Sequence, residues 1–417
     1  MYDKITLPNG VRILTERVSD VRSAALGVWV ASGSRHESAE FAGASHFIEH
    51  MLFRGTETRP QQRLSEFMAE VGGQINAFTS KDVTCFHGKV IDDRLAELAE
   101  TLSDMLQNSL FDEDDTDKER NIIIEEIGMF EDTPDDVCEE SLAREMYSGA
   151  LGRGVLGTRK TLSSLTGSRL REYRAKRYGG ENIIIALAGS FTDADCGKIA
   201  SAFSEIPRGK ANAAKKSAYT AGFAATERDT EQNHILLAFP AFPAADDKRF
   251  AVQMMSDILG GDVSSRLFRE LRDNRGLCYN TYSFAQSYAD CGGLLIYTAL
   301  AKEAQDEAVG VIADEIARLA DGGVTDAELS RSRQQTTANL LMSLESTSSR
   351  MNRLARGELV LGYAPDVSEV IERYAAVTRD EVRDAARGIF DFTRVSLSVV
   401  GETDGTADSL NFLRGYK

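Results

Sequence analysis

The chain has 417 residues, 42% hydrophobic and 27% charged, which is ordinary globular composition and excludes a disordered, collagen-like or coiled-coil protein. Its net charge of −17 disfavours a broad basic surface for nucleic acid. At roughly 150 residues per domain, the length allows two to three domains.

The elements read in order from the N-terminus. Ile5–Leu7, the turn Pro8-Asn9-Gly10 and Val11–Leu14 predict a hairpin. A strand follows at 24–32, helices at 43–54 and 61–71, and strands at 74–79 and 83–91. Helices are expected at 92–107, 115–131 and 134–147. A helix at 167–177, a strand at 182–188 and a helix at 192–203 close this half. A shift of 209 positions lays the first half on the second. Ala24–Val30 then falls on Asn233–Phe239, and Asp115–Arg120 on Val324–Leu329. The chain therefore reads as two homologous domains, 1–209 and 226–417, joined by an Ala/Lys-rich linker at 210–225. The mixture of strands and helices lacks strict βαβ alternation. It predicts an α+β fold in which each domain is a mainly antiparallel sheet with helices packed on one face.

No apolar run is long enough to span a bilayer, so no membrane span is expected. The start, Met-Tyr-Asp-Lys, has neither a basic nor an apolar leader region, so no signal peptide is expected. Cys85, Cys138, Cys196, Cys278 and Cys291 form no Cys-x-x-Cys pair, which predicts a reduced, cytoplasmic protein. Between Asp92 and Glu145 stand 20 Asp or Glu against four basic residues. Solvated helix faces explain such a run, and so does a local field that attracts cationic ligands.

Two of the five histidines, His46 and His50, lie four apart on one predicted helix with Glu49 between them. At ~100° per residue all three share a face, while Phe47, Ile48, Met51 and Leu52 cluster opposite. An i, i+4 histidine pair can bind one metal ion, and H-x-x-E-H is the inverted zinc-protease signature. A third ligand is needed. Glu126, in Asn121-Ile-Ile-Ile-Glu-Glu-Ile127, sits among Ile122, Ile123, Met129 and Phe130 on the helical wheel, and Glu119 returns to the same face two turns earlier. Two carboxylates on an apolar face call for a cation.

His46-Phe47-Ile48-Glu49-His50, with Glu126 following 76 positions after the motif, resembles the pitrilysin-type inverzincin metalloproteases, in particular the processing-peptidase subgroup, over essentially the whole chain. The resemblance implies that His46, His50 and Glu126 bind one Zn²⁺ per chain, that Glu49 is the general base and that Glu119 buttresses a ligand. It also implies that Gly73, Asn76, Ala77, Phe78 and Thr79 form an edge strand that binds an extended substrate, with Asn76 close to the base. In the second half, Arg272 and Tyr279 match the family's Arg/Tyr spacing, where both contact the substrate carbonyl. At offset 209 the metal residues become Met255, Ile258, Leu259 and Gln335, so one site per chain is expected. The implied activity is zinc-dependent endopeptidase cleavage of extended or unstructured peptides in an enclosed chamber, with basic peptides favoured by the acidic stretch. The implied assembly is a homodimer, or a heterodimer with a homologue. The competing expectation is a catalytically silent structural or peptide-binding subunit of a heteromeric complex.

Overall fold

The computed structural model describes residues 2–416. Two compact units are present, and neither is a contiguous half of the chain. The first comprises 1–128, 153–215 and 341–366; the second comprises 129–152, 216–340 and 367–417. The contiguous division at 210–225 therefore misses two exchanged segments.

The first unit holds a six-stranded sheet. Its strands are β1 Asp3–Thr6, β2 Arg12–Arg17, β3 Ser23–Val30, β4 Gln74–Thr79, β5 Thr84–Ile91 and β6 Ile183–Gly189, in the order β1-β2-β6-β3-β5-β4. Only β2 and β6 pair in parallel. On one face pack helices α1 Ala44–Leu52, α2 Gln61–Glu70, α3 Leu95–Asn108 and α4 Glu113–Glu131, which close over Leu26, Val28, Phe86, Ile183 and Ile185. The other face is covered too, which the expectation of helices on one face did not include. Helix Thr347–Leu361 lays Met351, Leu354 and Ala355 on Leu14, Trp29, Cys85, Ile184 and Ala186. That explains why β6 is apolar at consecutive positions and buried throughout. Ion pairs register this helix. Buried Glu358 meets Lys4 at 2.7 Å and Arg12 at 3.0 Å, and buried Glu16 meets Arg350 and Arg353.

The second unit repeats the plan with five strands, β7 Phe223–Glu227, β8 Asn233–Ala241, β9 Cys278–Ser287, β10 Gly292–Leu300 and β11 Ser396–Gly401, in the order β7-β11-β8-β10-β9. Helix Pro134–Met146 covers its second face, packing Leu142 and Met146 on Leu236, Ala238, Leu295 and Val400. Hydrophobic period alone reports that such a helix buries a face; it does not report which sheet receives it. Among the described residues, no helix is long and apolar enough to cross a membrane.

Candidate metal centre

The site grows from α1. Phe47, Ile48, Met51 and Leu52 are fully buried and anchor the helix to the core, as its period requires. The opposite face then projects His46, Glu49 and His50. The two imidazole rings lie 4.6 Å apart, centroid to centroid. From α4, Glu126 brings Oε2 to 3.7 Å from Nε2 of His46 and 3.7 Å from Nε2 of His50. All three donor atoms lie within 4.8 Å of one another, and among the described residues no other group of three such side chains meets that criterion. Ligands of a tetrahedral zinc ion, each about 2.0–2.2 Å from it, lie roughly 3.3–3.6 Å apart. Two imidazole nitrogens and a carboxylate oxygen at these spacings fit that ion in chemistry and in size.

The surroundings tune the donors. Nδ1 of His50 lies 2.8 Å from Oε2 of Glu119, whose other oxygen accepts from Arg54. A proton on Nδ1 leaves the Nε2 lone pair directed at the site. Burial, then the neighbouring His50, pulls His46 down to about 3, so it stays in the free-base form that a ligand needs. Burial also pulls on His50, but Glu119, Glu126 and Glu49 outweigh it and raise that imidazole. Burial raises the Glu49 carboxyl, against a 2.5 Å hydrogen bond donated to Oε2 by the Thr79 hydroxyl.

Glu126 does not lie on a buried face. Its side chain is 40% exposed, and its helical neighbours Ile122 and Met129 are 47% and 71% exposed. The core stripe of α4 is Thr116, Glu119, Ile123 and Ile127. The apolar residues flanking Glu126 thus border an open surface. Glu119, by contrast, is buried as expected.

Strand β4 is the edge of its sheet. Ile75 and Ala77 pack toward the core beneath the helices, whereas Phe78 packs on the opposite face, edge-to-face with Trp29 at 5.4 Å. Strand alternation therefore puts Thr79 on the side of Glu49 and Asn76 on the other. The Asn76 side chain instead accepts from the amide of Ala77 at 2.8 Å. Gly73 is required by its own sheet, since a Cβ there would come within 2.1 Å of the Lys89 carbonyl oxygen. Arg272 and Tyr279 belong to the second unit. Arg272 lies on a π-helical turn, Phe268–Asn274, and its guanidinium stacks 4.7 Å over the ring of Tyr279, which is 75% exposed.

Glu37 and Arg153 escaped the sequence reading. The Glu37 carboxylate accepts from the amides of Gly43 and Ser45 at the start of α1, and burial lifts it to about 7 against these bonds and the charge of Arg153. The available signal was a helix opening on Gly43, which has no side chain to cap it, six residues after an acid.

Residues 12–159 match the family model described as insulinase (peptidase family M16), and residues 164–336 match that of the peptidase M16 inactive domain. An uncharacterized zinc protease of Bacillus subtilis is 38% identical over 392 residues, covering 94% of this chain and 96% of that one. One from Streptomyces coelicolor is 38% identical over 409 residues, covering 95% and 89%. Among solved structures, a protease from Helicobacter pylori superposes with a TM-score of 0.89 at 20% identity, covering 96% of this chain and 99% of that one. A chain of Complex III2 from Candida albicans gives 0.85 at 17% identity, covering 99% of each. At such identities what the chain shares with these two structures is the fold.

Proposed function

The chain belongs to the insulinase family of M16 peptidases, and from that premise we propose that it is a zinc endopeptidase acting on extended or unstructured peptides in an enclosed chamber. The observation that carries this reading is the convergence of His46, His50 and Glu126 beside a half-buried Glu49 whose carboxylate accepts a hydrogen bond from Thr79.

His46, His50 and Glu126 would hold one Zn²⁺ per chain. When bound, the ion supplies Lewis-acid polarisation of a substrate carbonyl and of a water molecule. Glu49 takes the proton of the attacking water and passes it to the leaving amine; its raised affinity for a proton suits both transfers. Thr79 occupies Oε2 of Glu49 and leaves Oε1 for that proton. Glu119 fixes the ring of His50 by accepting a hydrogen bond from its Nδ1–H, and Arg54 keeps Glu119 charged and oriented. The open edge of β4 accepts an extended substrate as an added strand, through main-chain hydrogen bonds of Asn76–Thr79. On the family resemblance, Arg272 and Tyr279 meet the carbonyl oxygen of the substrate. The working form is a dimer of this chain, or a pair with a homologue. Five free cysteines suit a reducing cytoplasm.

The silent-subunit reading predicts a degraded metal set, and this set is intact in both identity and spacing. The test is metal analysis of the purified chain together with cleavage of a quenched fluorescent peptide before and after chelation. One zinc per chain, with cleavage lost on chelation and restored by zinc, supports the peptidase. Cleavage indifferent to chelation, or none with zinc bound, removes it.

A further inference from the structure

The first turn of α1 has a capping problem. The first amides of any helix lack intrahelical partners. Here water cannot serve them, because Ala44 and Ser45 are wholly buried and His46 nearly so. The N-cap residue is Gly43, at φ 92, with no side chain to offer. A larger residue is excluded there both by that φ and by the Leu156 carbonyl oxygen, 2.7 Å from where a Cβ would stand. The cap comes from outside the helix. Glu37 Oε2 accepts from the Gly43 amide at 2.8 Å, and Oε1 accepts from the Ser45 amide at 2.7 Å. Glu37 is itself held, since Arg153 donates to its main-chain oxygen and Lys81 to the main-chain oxygen of Arg153.

Ser45 immediately precedes His46, and His50 follows one turn later. Two fixed points on the backbone therefore set the direction in which both imidazoles leave the helix. We propose that Glu37 is a positioning residue for the metal centre: by clamping the amides of Gly43 and Ser45, its carboxylate makes His46 converge with His50 and Glu126. This rests on the zinc reading of the site. Gln at this position keeps the reach but can accept through one atom only, and its amide group opposes the other N–H. Asp keeps the charge but is one methylene short of spanning both amides.

Zinc affinity, measured by competition with a chromophoric chelator, tests the role without depending on activity. Glu37→Gln and Glu37→Asp should each bind zinc about 10–100-fold more weakly than wild type, the range typical of outer partners of metal ligands. With zinc saturating, KM should change less than kcat. Glu16→Gln is the control. It breaks the buried pairs with Arg350 and Arg353, so it should lower the melting temperature with zinc affinity unchanged. Folded Glu37 variants that bind zinc as wild type does would overturn the proposal and leave the metal site standing. Wild-type chain that binds no zinc would instead remove the metal site, and the positioning role with it. If neither Glu37 variant folds, Arg153→Gln frees the Glu37 main chain while leaving the carboxylate. It should weaken zinc binding in smaller measure, and unchanged affinity there also overturns the proposal.

Discussion

The hydroxyl of Thr79, the last residue of an edge strand, donates a 2.5 Å hydrogen bond to the carboxylate of Glu49, the acid between the two histidines. One contact joins the strand proposed to bind substrate to the base proposed to act on it. Thr79→Val keeps the β-branched shape and removes the donor. Hydrogen bonds to charged groups contribute about 1.5–3 kcal/mol, so kcat should fall roughly 10- to 100-fold. Zinc content should stay at the wild-type level, and Thr79→Ser should restore most of the rate. Steady-state kinetics on the three proteins, with metal analysis, decides it; a Thr79→Val enzyme as fast as wild type would deny the contact any part in catalysis.

The acidic stretch 92–145 contains Glu126 itself, so part of its charge borders the site. Clefts of one sign concentrate ligands of the other. Basic unstructured peptides should be cleaved with higher kcat/KM than acidic ones of equal length. That advantage should shrink as salt rises and the screening length falls to about 8 Å at physiological strength. An advantage independent of salt would point to a single charged subsite.

Much of the site was legible because its parts repeat at helical spacing. Phe47, Ile48, Met51 and Leu52 declared one face of α1, which left His46, Glu49 and His50 on the other. Glu126 was legible as a candidate ligand through the resemblance, and it converges with both histidines, but its environment is not the apolar one its neighbours suggest. Ile122 and Met129 look like core on a helical wheel and are surface in the fold. The helix exchange was hidden for a related reason: the apolar faces of 134–146 and 347–361 do not specify their acceptor sheets. The Thr79 contact follows from strand parity once β4 is placed beneath α1, which the sequence does not do. Glu37 was out of reach because its partners are backbone amides, which leave no mark in side-chain pattern.

The second unit repeats the frame of the candidate site without counterparts of His46, His50 and Glu126. Met255, Ile258 and Leu259 are buried where the first unit has its motif, and Glu328, the counterpart of Glu119, pairs with Arg266. Burial pushes the Glu328 carboxyl up, but Arg266 and the amide of Thr325 outweigh it and hold it at about 2. A depressed carboxyl stabilises the fold above its unfolded value and loses that contribution as pH falls through its folded value. Arg266→Gln should therefore cost about 2–3 kcal/mol at pH 7, and the difference from wild type should close between about pH 4.5 and 2. Chemical denaturation across that window checks it; a gap constant with pH would assign the loss to packing.

If two chains make one working enzyme and Arg272 with Tyr279 serves the zinc site of the partner, defects on opposite sides of that arrangement should complement. His50→Ala and Tyr279→Phe should each be nearly inactive alone. Mixed under conditions where subunits exchange, they should recover toward half of wild-type activity, because some dimers then hold one site with both defects and one with neither. A mixture that exchanges subunits and stays inactive would assign both residues to one chain's own site.

The most direct measurement of the central claim is a pair of readings on one variant, Glu49→Gln: zinc per chain, and the rate of hydrolysis of a quenched fluorescent peptide. Glu49 stands outside the group proposed to hold zinc, in which Glu126 is the acid that converges with both histidines. Glu49→Gln should hold close to one zinc per chain and lose nearly all hydrolysis. Wild-type hydrolysis by Glu49→Gln would contradict the claim.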